Sequence, residues 1–170
     1  PKIAEEGVRR HAIAYGDSEK RLGEIGVAGW RIVSKLPALP GGQVNVAGWV
    51  KESVAASLVR LKVDRLAAVL LHRPSDLLGP QGRVLLEALS RLREARLADK
   101  IGISIYNPTE LAVLWPHFAP DLVQAPLTIL DRRLRTSGWL SRAQLARTEI
   151  HTRSAFLQGL LVMSAANRPP

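Results

Sequence analysis

Cysteine is absent from the 170 residues. That excludes a disulfide scaffold, a thiolate nucleophile and every cysteine-ligated zinc or iron–sulfur centre. Aromatic residues make up only 5%, too few to interleave with basic side chains as a stacking platform for single-stranded nucleic acid. No apolar run approaches the roughly 18 residues that a membrane span needs. The longest, Leu66 to Leu71, is the size of a strand. No charged-then-apolar leader opens the chain, so secretion is not indicated. The chain begins without Met, which leaves a longer, leader-bearing precursor open. A Gly-rich turn of the G-x-G-x-x-G kind is missing, as is a Walker sequence, and this weakens any dinucleotide-binding open sheet.

What the chain does have is a core. Hydrophobic residues make up 46%, enough for a folded domain. Lys and Arg number 24 against 15 Asp and Glu, for a net charge of +9. Basic clusters stand at Arg60/Lys62/Arg65, Arg91/Arg93/Arg96 and Arg132/Arg133/Arg135. Their helical spacing beside apolar positions reads as solvated faces rather than a nucleic-acid surface. The same charge suits an anionic small molecule, such as a phosphate-bearing cofactor.

Two periods alternate along the sequence. Arg31 to Leu36 reads as a strand, and Val50 to Val63 as a helix with Val50, Val54, Leu58 and Leu61 on one face. Arg65 to Leu71 is a near-continuous apolar run, as expected of a strand covered on both sides. Gly79-Pro80 precedes a helix over about 81–97 that buries Leu85, Leu86, Leu89 and Leu92. Ile101 to Tyr106 predicts a strand, and Asn107-Pro108-Thr109 opens a helix, with Asn107 or Thr109 able to cap it. Leu122 to Ile129 predicts another strand, interrupted by Pro126. A helix after Ser137 runs to about Leu145, and Glu149 to Ser154 forms a fifth strand. Such alternation implies βαβ units and a parallel sheet, either closed into a (β/α)8 barrel or open. The missing phosphate-binding turn puts the barrel ahead.

Active sites of (β/α)8 barrels lie at the carboxyl ends of the strands. Those ends are Lys35, His72, Ser104, Gln124 and Ser154, with Tyr15 just after the first region. Tyr, Lys and His at successive ends form an acid set. A phenol is a poor acid near neutrality, but a neighbouring ammonium stabilises the phenolate and makes proton donation to a developing alkoxide feasible. A neutral imidazole can hold a carbonyl in line. Each residue also has a structural reading: a strand-end plug for Tyr15, a snorkelling cation for Lys35, a satisfied core histidine for His72 and a backbone-satisfied amide for Gln124.

In order along the chain come Ala14-Tyr-Gly-Asp-Ser-Glu-Lys-Arg-Leu-Gly23, Val33-Ser-Lys35, Leu70-Leu-His-Arg-Pro74, Ile101-Gly-Ile-Ser-Ile-Tyr106, Leu122-Val-Gln-Ala-Pro126 and Ser154-Ala-Phe-Leu-Gln-Gly-Leu-Leu161. Together they resemble the aldo-keto reductase family from about Tyr15 to Leu161. Ile150-His-Thr-Arg-Ser resembles a bacterial branch associated with carbohydrate metabolism. The resemblance implies Tyr15 as general acid, Lys35 as the group that tunes it and His72 as the group that orients the carbonyl. It also implies that Ser104 and Gln124 hold a nicotinamide carboxamide. Arg153 falls where many relatives stack an aromatic on the ring, and Ser154 and Leu157 match the loop near the cofactor diphosphate.

The expectation is thus one partial (β/α)8 TIM-barrel catalytic domain over 1–170, with the first strand and eighth βα unit not evident. The implied activity is NAD(P)H-dependent reduction of an aldehyde, ketone or sugar, or the reverse oxidation. NADP(H) is expected ahead of NAD(H), with no metal, a small-molecule partner, no nucleic acid, no membrane and a cytoplasmic location. The alternative is a cofactor-binding sensor or assembly protein without turnover. Arg10 stands where the family carries an aspartate that pairs with the lysine, and no apolar run of strand length precedes Tyr15. A stretch missing between Arg9 and Ala12 would account for both; an Asp-to-Arg change would be the other account.

Overall fold

A computed structural model describes residues 8–12 (main chain), 16–27, 29–42, 45–157 and 159–168. Six strands form one sheet: β1 Val8–Ala12, β2 Arg31–Leu36, β3 Ala68–Leu71, β4 Ile101–Ser104, β5 Leu122–Pro126 and β6 Glu149–Arg153. They lie side by side in chain order, and every pair is parallel. The helices are α1 Ser18–Ile25, α2 Val46–Leu61, α3 Gly82–Glu94, α4 Thr109–Leu114, α5 Arg133–Thr136 and α6 Trp139–Leu145. No helix among the described residues is long and apolar enough to cross a membrane.

Strand side chains alternate between faces, and the two faces here have different jobs. Ile32, Leu36, Val69, Leu71, Ile101, Ile103, Val123 and Ala125 pack with helix residues such as Val54, Leu58, Leu85, Leu89 and Leu111 into the main core. Val33, Ala68, Leu70 and Leu122 form a separate small cluster on the opposite face. Helices on one face and sequential strand order mark a singly wound sheet. An open doubly wound sheet would reverse its order at a switch point and carry helices on both faces. The fold is an incomplete (β/α)8 barrel whose inner face carries the small cluster. Gly102 holds β4 close on that face: an added Cβ would meet the Leu122 carbonyl oxygen at 2.1 Å and Leu70 at 2.6 Å.

Helix α2 begins four residues before the predicted Val50, because Asn45 caps it by accepting from the Gly48 N–H at 2.9 Å. Helix α3 stops at Glu94 rather than near Leu97. Arg96 turns left-handed (φ 58°), and the Leu97 N–H closes the end on the Leu92 carbonyl. Leu85, Leu89 and Leu92 are buried as expected, while Leu86 is only partly so. Strand β5 ends at Pro126 and does not reach Ile129, which is 65% exposed. Thr128 accepts there from the Leu130 and Asp131 N–H groups, turning the chain away from the sheet.

Two corrections concern the amino-terminal region. A strand is present before Tyr15: β1 pairs with β2 in a register that sets Arg10 opposite Val33 and Ala12 opposite Lys35. Helix α1 was not foreseen. Its Glu19, only 1% exposed, accepts from Ser34 Oγ at 2.5 Å and from Arg60 at 2.8 and 2.9 Å. Arg60 is therefore half-buried in an ion pair and is not part of a solvated face.

Candidate active site at the carboxyl ends of the strands

The inner face brings the predicted residues together by parity. Lys35 is two residues after Val33, His72 two after Leu70, Gln124 two after Leu122, and Ser104 two after Gly102. All therefore share the side of the small apolar cluster. They also share one end. Lys35 pairs with Leu70, Ser104 with Gln124 and Pro126 with Arg153, while the His72 N–H donates to the Leu36 carbonyl at 3.0 Å. Lys35, Ser104 and Gln124 are buried. On the outer face Ser34 is tied to Glu19, which fixes β2 beneath Lys35. Tyr15 lies outside the described residues.

Ser104 Oγ donates to Gln124 Oε1 at 3.1 Å across adjacent strands. The amide oxygen is thus occupied, leaving the amide N–H donors and the serine lone pairs. That remainder is complementary to a carboxamide, which offers one acceptor oxygen and two N–H donors. The residues present fit the nicotinamide group that the resemblance implies.

Arg153 crosses the mouth from β6. Its Nη2 donates to the Ile105 carbonyl at 2.9 Å, and its guanidinium carbon lies 4.2 Å from the centre of the Tyr106 ring. Its Nε is buried and has no partner among the described residues. His72 is held below the ordinary histidine value of 6.5, first by burial, then by the charges of Lys35 and Arg153. The imidazole is therefore neutral near pH 7 and can donate from one ring nitrogen only.

Ser154 (φ 57°), Leu157 (φ 47°) and Gly159 (φ 94°) take left-handed conformations within one short loop after β6. The Leu157 N–H closes on the Ser154 carbonyl at 2.9 Å. Left-handed backbone at Ser and Leu costs energy and concentrates at ligand-binding loops. Tyr106 was missed as a site residue. Its signal was an aromatic two positions after Ser104, at the end of an otherwise aliphatic strand.

No family model matches the chain, and no curated protein matches it. Solved structures do. A Pseudomonas aeruginosa protein assigned to the aldo-keto reductases is 26% identical over 85% of this chain and 59% of its own, with a TM-score of 0.67. The holo form of a Bacillus halodurans aldo-keto reductase is 22% identical over 96% of this chain and 56% of its own, with a TM-score of 0.75. A Klebsiella pneumoniae aldo-keto reductase in complex with NADPH is 21% identical over 92% and 57%, with a TM-score of 0.71. The chain spans between 56% and 59% of the length of these three proteins. The aldo-keto reductase resemblance read from the motifs is thus supported by the fold.

Proposed function

We propose that the protein is an NAD(P)H-dependent carbonyl reductase, using NADP(H) ahead of NAD(H), that acts on an aldehyde, ketone or sugar. The observation that carries this reading is the convergence of Lys35, His72, Ser104, Gln124 and Arg153 on one face at one end of the sheet. NADPH and NADP in two Klebsiella pneumoniae aldo-keto reductase structures support the cofactor choice. A reduced nicotinamide held there would supply the hydride to the carbonyl carbon. Tyr15 gives its phenolic proton to the carbonyl oxygen as the alcohol forms, and the ammonium of Lys35 stabilises the phenolate left behind. Neutral His72 donates a hydrogen bond to the same oxygen and sets its approach. Ser104 and Gln124 would hold the carboxamide, and the Ser154–Leu157 turn would face the diphosphate.

The test is NADPH oxidation with a panel of small aldehydes and sugars, together with the Tyr15→Phe variant. That variant is expected to bind NADPH nearly as well as the unmodified protein and to turn over roughly 10²–10⁴-fold more slowly. Near-normal turnover would end the acid assignment. Cofactor binding without turnover in the unmodified protein would instead favour the sensor reading, which the cation Arg10 near the start of the sheet supports.

A further inference from the structure

We infer that Arg153 makes the site selective for the redox state of its cofactor, favouring the neutral reduced nicotinamide over the cationic oxidised one. The inference rests on the reading above, in which Ser104 and Gln124 receive a nicotinamide carboxamide. Arg153 starts on β6 opposite Pro126, crosses the end of β5 and reaches the carbonyl of Ile105, the residue after Ser104. Its guanidinium therefore sits at the end of β4 and β5 that carries the Ser104–Gln124 pair. A ring whose amide that pair held would lie at the same end of the sheet as the guanidinium.

The charge at that place is not cancelled. Nη2 donates to a main-chain carbonyl, Nε is buried without a partner, and the nearest ring contact is Tyr106. No carboxylate among the described residues pairs with this guanidinium. The reduced ring is neutral and electron-rich, so a flat cation against it is tolerated or attractive. The oxidised ring carries a full positive charge, and two like charges a few ångströms apart in a partly desolvated site repel. The phosphates are common to both forms, so their attraction to basic residues cancels from the ratio of the two affinities. A site so biased takes up the hydride donor and releases the spent cofactor readily, which matters wherever cofactor release limits turnover.

The experiment is a calorimetric titration of the protein with NADPH and, separately, with NADP⁺. In the unmodified protein NADPH is expected to bind at least about tenfold more tightly, a difference of about 1.4 kcal/mol. Arg153→Gln keeps a donor for the Ile105 carbonyl but removes the charge, and the ratio is expected to fall roughly tenfold, toward unity. Arg153→Lys keeps the charge and is expected to retain most of the preference. An unmodified ratio at or below one would overturn the inference with no variant required. So would an unchanged ratio in Arg153→Gln with both forms still binding. Failure of the unmodified protein to bind either form would overturn the functional reading itself, and the inference with it.

Discussion

The inner face of the sheet carries a small apolar cluster of Val33, Ala68, Leu70 and Leu122 and two groups of polar residues. At the amino end of the strands, Glu149 accepts from Lys100 and, at 2.6 Å, from His151. Burial raises the Glu149 carboxyl, but the hydrogen bonds from Lys100 and His151 outweigh it and hold the group below its ordinary value. Charge there is met by opposite charge. At the carboxyl end, Arg153 meets a carbonyl and an aromatic ring, and the His72 imidazole is kept neutral by burial and by cations. At one end a carboxylate lies between two basic side chains, and at the other a guanidinium has its Nε buried without a partner among the described residues. Barrels of this type use their two ends in that way, with stability at the amino face and chemistry at the carboxyl face.

Exchanging the damage between the ends tests this division. Lys35→Met is expected to cut turnover by at least roughly 10²-fold, because the phenol of Tyr15 loses the ammonium that tunes it. Stability should barely move, since a flexible apolar chain of similar length replaces a buried cation. The measurement pairs steady-state rates with urea denaturation, and a large loss of stability would place Lys35 with the structural set. Glu149→Ala should do the reverse. It leaves Lys100 and the buried His151 without their acceptor, at a cost of about 1–3 kcal/mol, while turnover per folded molecule stays within about twofold. Because the folded-state value of Glu149 is depressed, its contribution is present above the unfolded carboxylate value and is lost as pH falls through the folded one. The stability gap between Glu149→Ala and the unmodified protein should therefore close in acid. A gap that persists below that range would mean that packing, not charge, joins Glu149 to its neighbours.

The division of labour was unevenly legible in the sequence. Lys35, His72, Ser104 and Gln124 could be placed because each ends a short apolar run, where alternation and parallel pairing leave few choices of face. Strand β1 could not. Val8-Arg-Arg-His-Ala carries three basic residues in five, and its pairing comes from β2 rather than from any apolar pattern of its own. Helix α1 was hidden for a related reason: the partner that makes buried Glu19 tolerable is Arg60, 41 residues away. Arg153 was placed from the resemblance, at the position where many relatives stack an aromatic. Its reach across β5 to Ile105 depends on a side-chain path that no local pattern encodes. The Lys100–Glu149–His151 network was missed altogether: Lys100 and Glu149 stand at strand starts, where charged residues usually signal solvent, and His151 sits in the middle of β6 opposite Gln124.

The mildest perturbation reads the carboxyl end directly, through the titration of His72. Its folded value lies below 6.5 because burial disfavours the imidazolium, and Lys35 and Arg153 repel it. As pH falls, the unfolded chain takes up this proton first, so His72 withdraws stability from about pH 6.5 downward until the folded imidazole also protonates. Arg153→Gln removes the third of these causes and leaves the first two. The His72 midpoint should then move upward while remaining below 6.5. Ring-proton NMR against pH measures it, with His72→Gln identifying the resonance. Glu149→Ala, at the other end of the same face, should leave that midpoint where it is. A His72 curve that shifts with Glu149→Ala and not with Arg153→Gln would mean that Glu149, and not Arg153, sets the charge that His72 feels, and the two polar groups would not be independent.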